Sequence, residues 1–141
     1  MIVVDAYRQP YIPFYLTTKE FFELARARLA PGGVVAINVG HPEGSDRLER
    51  VLSATLRSAF ANVARDPLND TNTILMGSDA PLTSGRLTEA SRALPSDLRP
   101  VAVRAAARLR PGLGGGRVYT DDHAPVEWLV DESLVEYAES R

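Results

Sequence analysis

Two short apolar runs constrain this chain more than anything else in it: Met1 to Val4, ended by Asp5, and Val34 to Val39, ended by Gly40, Pro42 and Gly44. A strand with one wet face alternates apolar and polar residues, whereas an unbroken run suits a strand covered on both faces, as in parallel sheets flanked by helices. Between the runs, Thr17 and Glu20 have capping-box spacing, and Phe21, Leu24, Ala25 and Leu29 follow at helical intervals until Ala30-Pro31-Gly32-Gly33 stops the element. The spacing predicts a helix over 17–29, hence a strand–helix–strand unit.

The rest of the chain extends that unit. Residues 46–60 carry Leu48, Val51, Leu52, Thr55, Leu56 and Phe60 on one stripe, with Arg47, Glu49, Arg50 and Arg57 elsewhere, and so predict a second helix. Strands are expected at 62–65 and 72–77, paired as a hairpin across the polar cluster 66–70. Helical segments at 84–94 and 97–109 are expected to cover the opposite sheet face. A glycine loop at 111–116, a strand at 117–119 and a last helix at 131–139 complete the reading. The expectation is one domain, residues 1–141, with a mostly parallel α/β sheet, flanking helices and an antiparallel edge. Right-handed crossovers put the first two helices on one face.

Composition narrows the function. Without cysteine, disulfide scaffolds, cysteine-based zinc sites and thiol catalysis are excluded. A formal net charge of -2 from 16 basic and 18 acidic residues gives no electrostatic footprint for nucleic acid, so none is expected as a partner. No stretch approaches the roughly 20 apolar residues that cross a bilayer. MIVVD reads as neither a signal nor a transit peptide, making the cytoplasm the default expectation.

In open α/β sheets ligands bind outside the carboxyl ends of the strands, which directs attention to Asp5–Tyr7 and Asn38–His41. Position alone allows Asp5 either to accept a proton from a bound amine or to cap its own loop. Asp121, Asp122, His123 and Glu127 form the densest polar group, but no second histidine stands at ligand spacing, and no metal is expected. Tyr7, Tyr11, Phe14 and Tyr15 suit either an apolar channel or packing of an ordered loop on the sheet. Trp128 is expected in the core or an interface.

The stretch VVDAYRQPYIPFYLTTKEFFELARARLAPGGVVAINV, with TDDHAPVEWL at Thr120–Leu129, resembles the second half of the spermidine synthase (polyamine aminopropyltransferase) family over most of residues 2–129. The resemblance implies a Rossmann-like, methyltransferase-type fold and transfer of an aminopropyl group from decarboxylated S-adenosylmethionine, as co-substrate, to a diamine such as putrescine. It implies Asp5 as the catalytic aspartate and Tyr7, Asp121 and Asp122 as substrate contacts, with no tightly bound cofactor. Arg8 stands where relatives carry a second carboxylate, and the glycine-rich turn and acidic residues that hold the donor lie upstream of the matching segment. The isolated chain is therefore expected to be inactive. Alternatives are a non-catalytic assembly module of the same fold and a methyltransferase relative using S-adenosylmethionine. The run Met1–Val4 lacks a neighbour on one side in this reading, so a homodimer, a partner supplying the missing half, or the 84–109 segment is expected to cover it.

Overall fold

The computed structural model describes residues 1–6 and 11–139. Its order is β1 (Ile2–Val4), a 3-10 turn (Phe14–Leu16), α1 (Lys19–Ala27), β2 (Val35–Gly40), α2 (Arg47–Ala59), β3 (Asn62–Asn69), β4 (Asn72–Ser78), α3 (Ser84–Ser91), α4 (Arg99–Arg108), β5 (Arg110–Pro111) and α5 (Val126–Glu139). The five strands form one open sheet in the order β1-β2-β4-β3-β5.

The α/β character expected from the sequence holds, but the pairing is less parallel than expected. Only β1 and β2 pair in parallel; β4 inserts antiparallel between β2 and β3, and β5 lies antiparallel on β3. The cause is the hairpin. Because β4 folds back between β2 and β3, those two strands run in the same direction without touching. Strands β1, β2 and β3 therefore share a direction, with their carboxyl ends on one side.

The helices α1 and α2 pack together on one face, as right-handed crossovers require. Val4, Val35, Ile37, Val39 and Leu75 point into this layer and meet Phe22, Leu52, Leu56 and Val126. Complete burial of one such side chain stabilises by about 1.5–3 kcal/mol. α2 also buries Glu49, which the helical stripe had put outside the core: it is 2 % exposed because Arg65 Nη1 reaches it from β3 at 3.0 Å and Thr73 Oγ1 from β4 at 3.2 Å.

The opposite face is covered at one end only. Arg108 of α4 holds Asp66 of β3 through Nε–Oδ1 at 2.7 Å and Nη2–Oδ2 at 2.9 Å, and Ala102 and Ala106 are buried beside it. At the other end Val3 is 61 % exposed and β2 alternates buried with half-buried residues, so the unbroken apolar runs are dry on one face rather than two. The 84–109 segment packs on β3, at the far side of the sheet from β1, and does not cover the β1 edge.

Two local readings are also corrected. Thr18, not Thr17, caps α1, accepting from the Phe21 N–H, while Thr17 Oγ1 donates to Phe14 O. Residues 117–119 form no strand. Tyr119 drops into the core, its N–H donates to Thr55 Oγ1 and its carbonyl accepts from Lys19 N, leaving the backbone no ladder to join. The strand in this region is β5, just before the glycine loop.

Candidate functional site

Register builds the site. Val4 lies opposite Ile37 in the parallel pair, so the next residues, Asp5 and Asn38, project side by side on the open sheet face. Asn38 Nδ2 donates to Asp5 Oδ1 at 3.0 Å. Asp5 is exposed, and it follows the edge strand β1 rather than a central one.

The two residues border a cleft of about 190 Å³. Val3, Ala36 and Ile74 supply its apolar floor from three strands, and Leu68 and Asn72, flanking the β3–β4 turn, close it. A carboxylate held by an amide donor beside an apolar floor suits a cationic nitrogen carried on a methylene chain. Leu68 and Asn72 are separated from Asp5 by more than sixty residues and carry no motif; only the hairpin fold-back, which the sequence did reveal, brings them here.

Asp121 and Asp122 sit at the tip of a tight turn closed by Thr120 N to His123 O at 3.2 Å and His123 N to Thr120 O at 2.9 Å. Both carboxylates are exposed. The turn is fastened to the start of α1: Lys19 N donates to Tyr119 O at 2.8 Å, and Asp121 N donates to Glu20 Oε2 at 3.0 Å. Since α1 begins where the chain has left the carboxyl end of β1, the turn lies at the same end of the sheet as Asp5. Glu20, expected to close a capping box, instead holds this turn. Tyr7 and Arg8 lie outside the described residues.

Tyr11 ties the loop after β1 to α5 by donating to Asp131 Oδ1 at 2.7 Å, and this hydrogen bond to a carboxylate holds the phenol above its ordinary range. Of the two places expected for Trp128, core or interface, the structure excludes the core: it is 76 % exposed on α5, because Val126 and Val130 take the buried stripe of that helix. Among the described residues no three histidine, aspartate or glutamate side chains converge as metal ligands would. No described helix is long and apolar enough to cross a membrane.

No protein-family model matches the chain. A probable polyamine aminopropyl transferase of Bifidobacterium longum (strain NCC 2705) is 34% identical over 152 aligned positions, covering 92% of this chain and 33% of that protein. The crystal structure of a probable spermidine synthase from Corynebacterium glutamicum ATCC 13032 is similar at a TM-score of 0.53 and 28% identity, covering 82% of this chain and 47% of that one. The chain thus spans about a third of the length of the curated relative it matches. By sequence and by fold the chain is similar to part of the length of a probable polyamine aminopropyl transferase and of a probable spermidine synthase.

Proposed function

We propose that this chain is the acceptor-amine part of an aminopropyltransferase, with Asp5 as the group that orients the attacking nitrogen and takes its proton. The observation that carries this is the Asn38–Asp5 hydrogen bond at 3.0 Å, which aims one carboxylate oxygen and leaves the other for a ligand. In the reaction, a neutral amine nitrogen of the diamine attacks the propyl carbon bound to the donor's sulfonium. The new C–N bond forms as the C–S bond breaks, sulfur leaves as a neutral thioether, and the proton shed by nitrogen passes to Asp5. The apolar floor of Val3, Ala36 and Ile74 would carry the methylene chain, and Tyr7, Asp121 and Asp122 would contact its far end.

The donor, decarboxylated S-adenosylmethionine, would be held by residues outside these 141, supplied by further polypeptide or by a partner chain. Among the described residues β1 has no neighbour on one side, which supports this reading, since an edge strand with unpaired backbone groups is a template for another strand. A homodimer through that edge is the other arrangement it allows, and the reaction would run in the cytoplasm. The same open edge favours, as a second reading, an assembly module that has kept the fold without the chemistry.

The test is a transfer assay with decarboxylated S-adenosylmethionine and putrescine. The chain alone should show no turnover, because losing donor positioning forfeits an effect of roughly 7–11 kcal/mol. Robust turnover by the chain alone that is lost in Asp5→Asn would overturn the divided site, and putrescine binding indifferent to Asp5→Asn would overturn the role of Asp5.

A further inference from the structure

A cleft of about 490 Å³ lies at the end of the sheet opposite Asp5, and nothing in the acceptor-amine reading uses it. β1, β2 and β3 share a direction; Asp5 follows the carboxyl end of β1, whereas Asn62 and Val63, which open β3, line this cleft. Its other walls include Arg57 near the end of α2, Thr83 and Ser84 at the start of α3, and Arg110 of β5. The volume falls in the range of small-molecule sites.

Its charge is one-sided. Two guanidinium groups, those of Arg57 and Arg110, line it, and no carboxylate does. Both residues are exposed, so a ligand can reach them, and neither forms an ion pair among the described residues. Each is anchored instead by carbonyl oxygens, which orient a cation without cancelling its charge. Arg57 Nη2 donates to Gly112 O at 2.6 Å and to Leu113 O, and Arg110 Nη1 donates to Ala107 O and Leu109 O, both at 2.9 Å. Asp79, whose carboxylate touches the rim at Ala61 N (3.5 Å), is taken by Arg26 Nε at 2.8 Å. The Thr83 hydroxyl accepts from Arg86 N and keeps its own hydrogen to donate, and Ser84 adds a second hydroxyl. Two fixed cations and two hydroxyls from three separate elements call for a ligand with several anionic oxygens, and Val63, Leu82 and Pro111 beside them suit an organic body.

We propose that this cleft binds a phosphate monoester, with Arg57 and Arg110 on the phosphate oxygens, Thr83 and Ser84 donating to them, and the esterified group against Val63, Leu82 and Pro111. A carboxylate would bring two oxygens and one charge to these four side chains. A phosphate monoester brings three terminal oxygens and about 1.5 to 2 negative charges at neutral pH. The inference is independent of the role of Asp5: the site lies at the other end of the sheet, takes the opposite charge and shares no lining residue with the Asp5 cleft.

NMR titration of the full chain at about pH 7.5, above the second phosphate pKa, and in about 0.15 M chloride tests it with phenyl phosphate, inorganic phosphate and benzoate. Phenyl phosphate should shift the Arg110 Nε–H and Leu82 methyl signals saturably and leave the Val3 and Ile74 methyls unmoved. Inorganic phosphate, which lacks the apolar body, should bind about tenfold more weakly, and benzoate at least about fivefold more weakly. Arg110→Gln should weaken phenyl phosphate about five- to twentyfold, through loss of a charge-assisted hydrogen bond at an exposed position. Ser84→Asp provides a variant that should keep its Tm, because an acidic residue is favoured in the first turn of a helix, while the added carboxylate repels the ligand and should abolish binding. Binding of phenyl phosphate that survives Ser84→Asp unchanged would overturn the proposal. So would benzoate binding as tightly as phenyl phosphate, or unsaturable shifts spread equally over Arg86, Arg92 and Arg110, which mark general charge attraction.

Discussion

Glu49 and Arg65 form the deepest ion pair described in the protein, 3.0 Å apart, with the carboxylate 2 % exposed and the guanidinium side chain 25% exposed. It joins α2 to β3, and Thr73 adds a hydrogen bond from β4, so one carboxylate pins the helix to both arms of the hairpin that closes the Asp5 cleft.

Removing one partner of such a pair leaves the other charge poorly solvated. Glu49→Leu should destabilise by about 2–3 kcal/mol, below the full range for breaking a buried pair because Arg65 keeps some water. Glu49→Leu with Arg65→Met should recover most of that loss. Urea unfolding of the two variants checks this, and a double variant no more stable than the single one would mean that packing, not charge, sets the cost.

The glycine loop offers a paired test. A Cβ on Gly116 would stand 2.0 Å from the Arg50 carbonyl oxygen, which is helix backbone and cannot swing aside, whereas one on Gly114 meets nothing within 4 Å. Gly116→Ala should therefore cost about 2 kcal/mol or more, as overpacking does, and Gly114→Ala less than about 0.5 kcal/mol. Comparable losses in both would show that the loop does not lie against α2 as described.

Asp46 accepts from Arg50 Nε at 2.8 Å and Nη2 at 2.6 Å, and this hydrogen bonding holds its carboxyl below the usual aspartate range. A depressed folded pKa stabilises the fold above the unfolded value near 4, and that contribution disappears as pH falls through the lower folded value. Both side chains are more than two-fifths exposed, so water screens the pair to well under about 1 kcal/mol. Arg50→Gln should lower the urea midpoint slightly at neutral pH, and the part of the difference due to this pair should vanish in acid. A difference that persists unchanged with both forms protonated would assign it instead to the Arg50–Gly114 hydrogen bond.

Tyr119 is 4 % exposed, and burial raises its phenol above the ordinary value of 10.0. With the folded pKa raised, its contribution to stability is present below the unfolded value and is lost as pH rises through the folded one. Phenolate absorbance should therefore show a step above the ordinary tyrosine range that Tyr119→Phe removes. A Tyr119→Phe variant with an unchanged phenolate titration above the ordinary value of 10.0 would contradict the place of Tyr119 in the core.

The fold follows the sequence where local signals agree. The apolar stripes of α1 and α2, the Pro31-Gly32-Gly33 stop and the hairpin were all legible, because periodicity and turn chemistry are properties of neighbouring residues. The positions just after the first two strands were legible as site candidates for a topological reason, and Asp5 and Asn38 do meet there. Other features depended on partners distant in sequence. Glu49 looked solvent-facing until Arg65 was brought beside it, and Glu20 had the spacing of a cap but serves Asp121. The β1 and β2 runs are apolar throughout yet dry on one face only, because an apolar run does not say whether a helix lies above it. Nothing local marks Leu68 or Asn72 as lining a cleft.

The most direct test of the account is a putrescine titration of the chain followed through the Asn38 side-chain amide. In the unaltered chain that signal should shift saturably, together with the Val3 and Ile74 methyls that floor the cleft. In Asp5→Asn, folded as judged by an unchanged Tm, the shift should be lost or need at least about tenfold more putrescine, in keeping with removal of a charge-assisted hydrogen bond. An Asn38 signal that ignores putrescine, or that responds equally in Asp5→Asn, would contradict the claim that this carboxylate receives the acceptor amine.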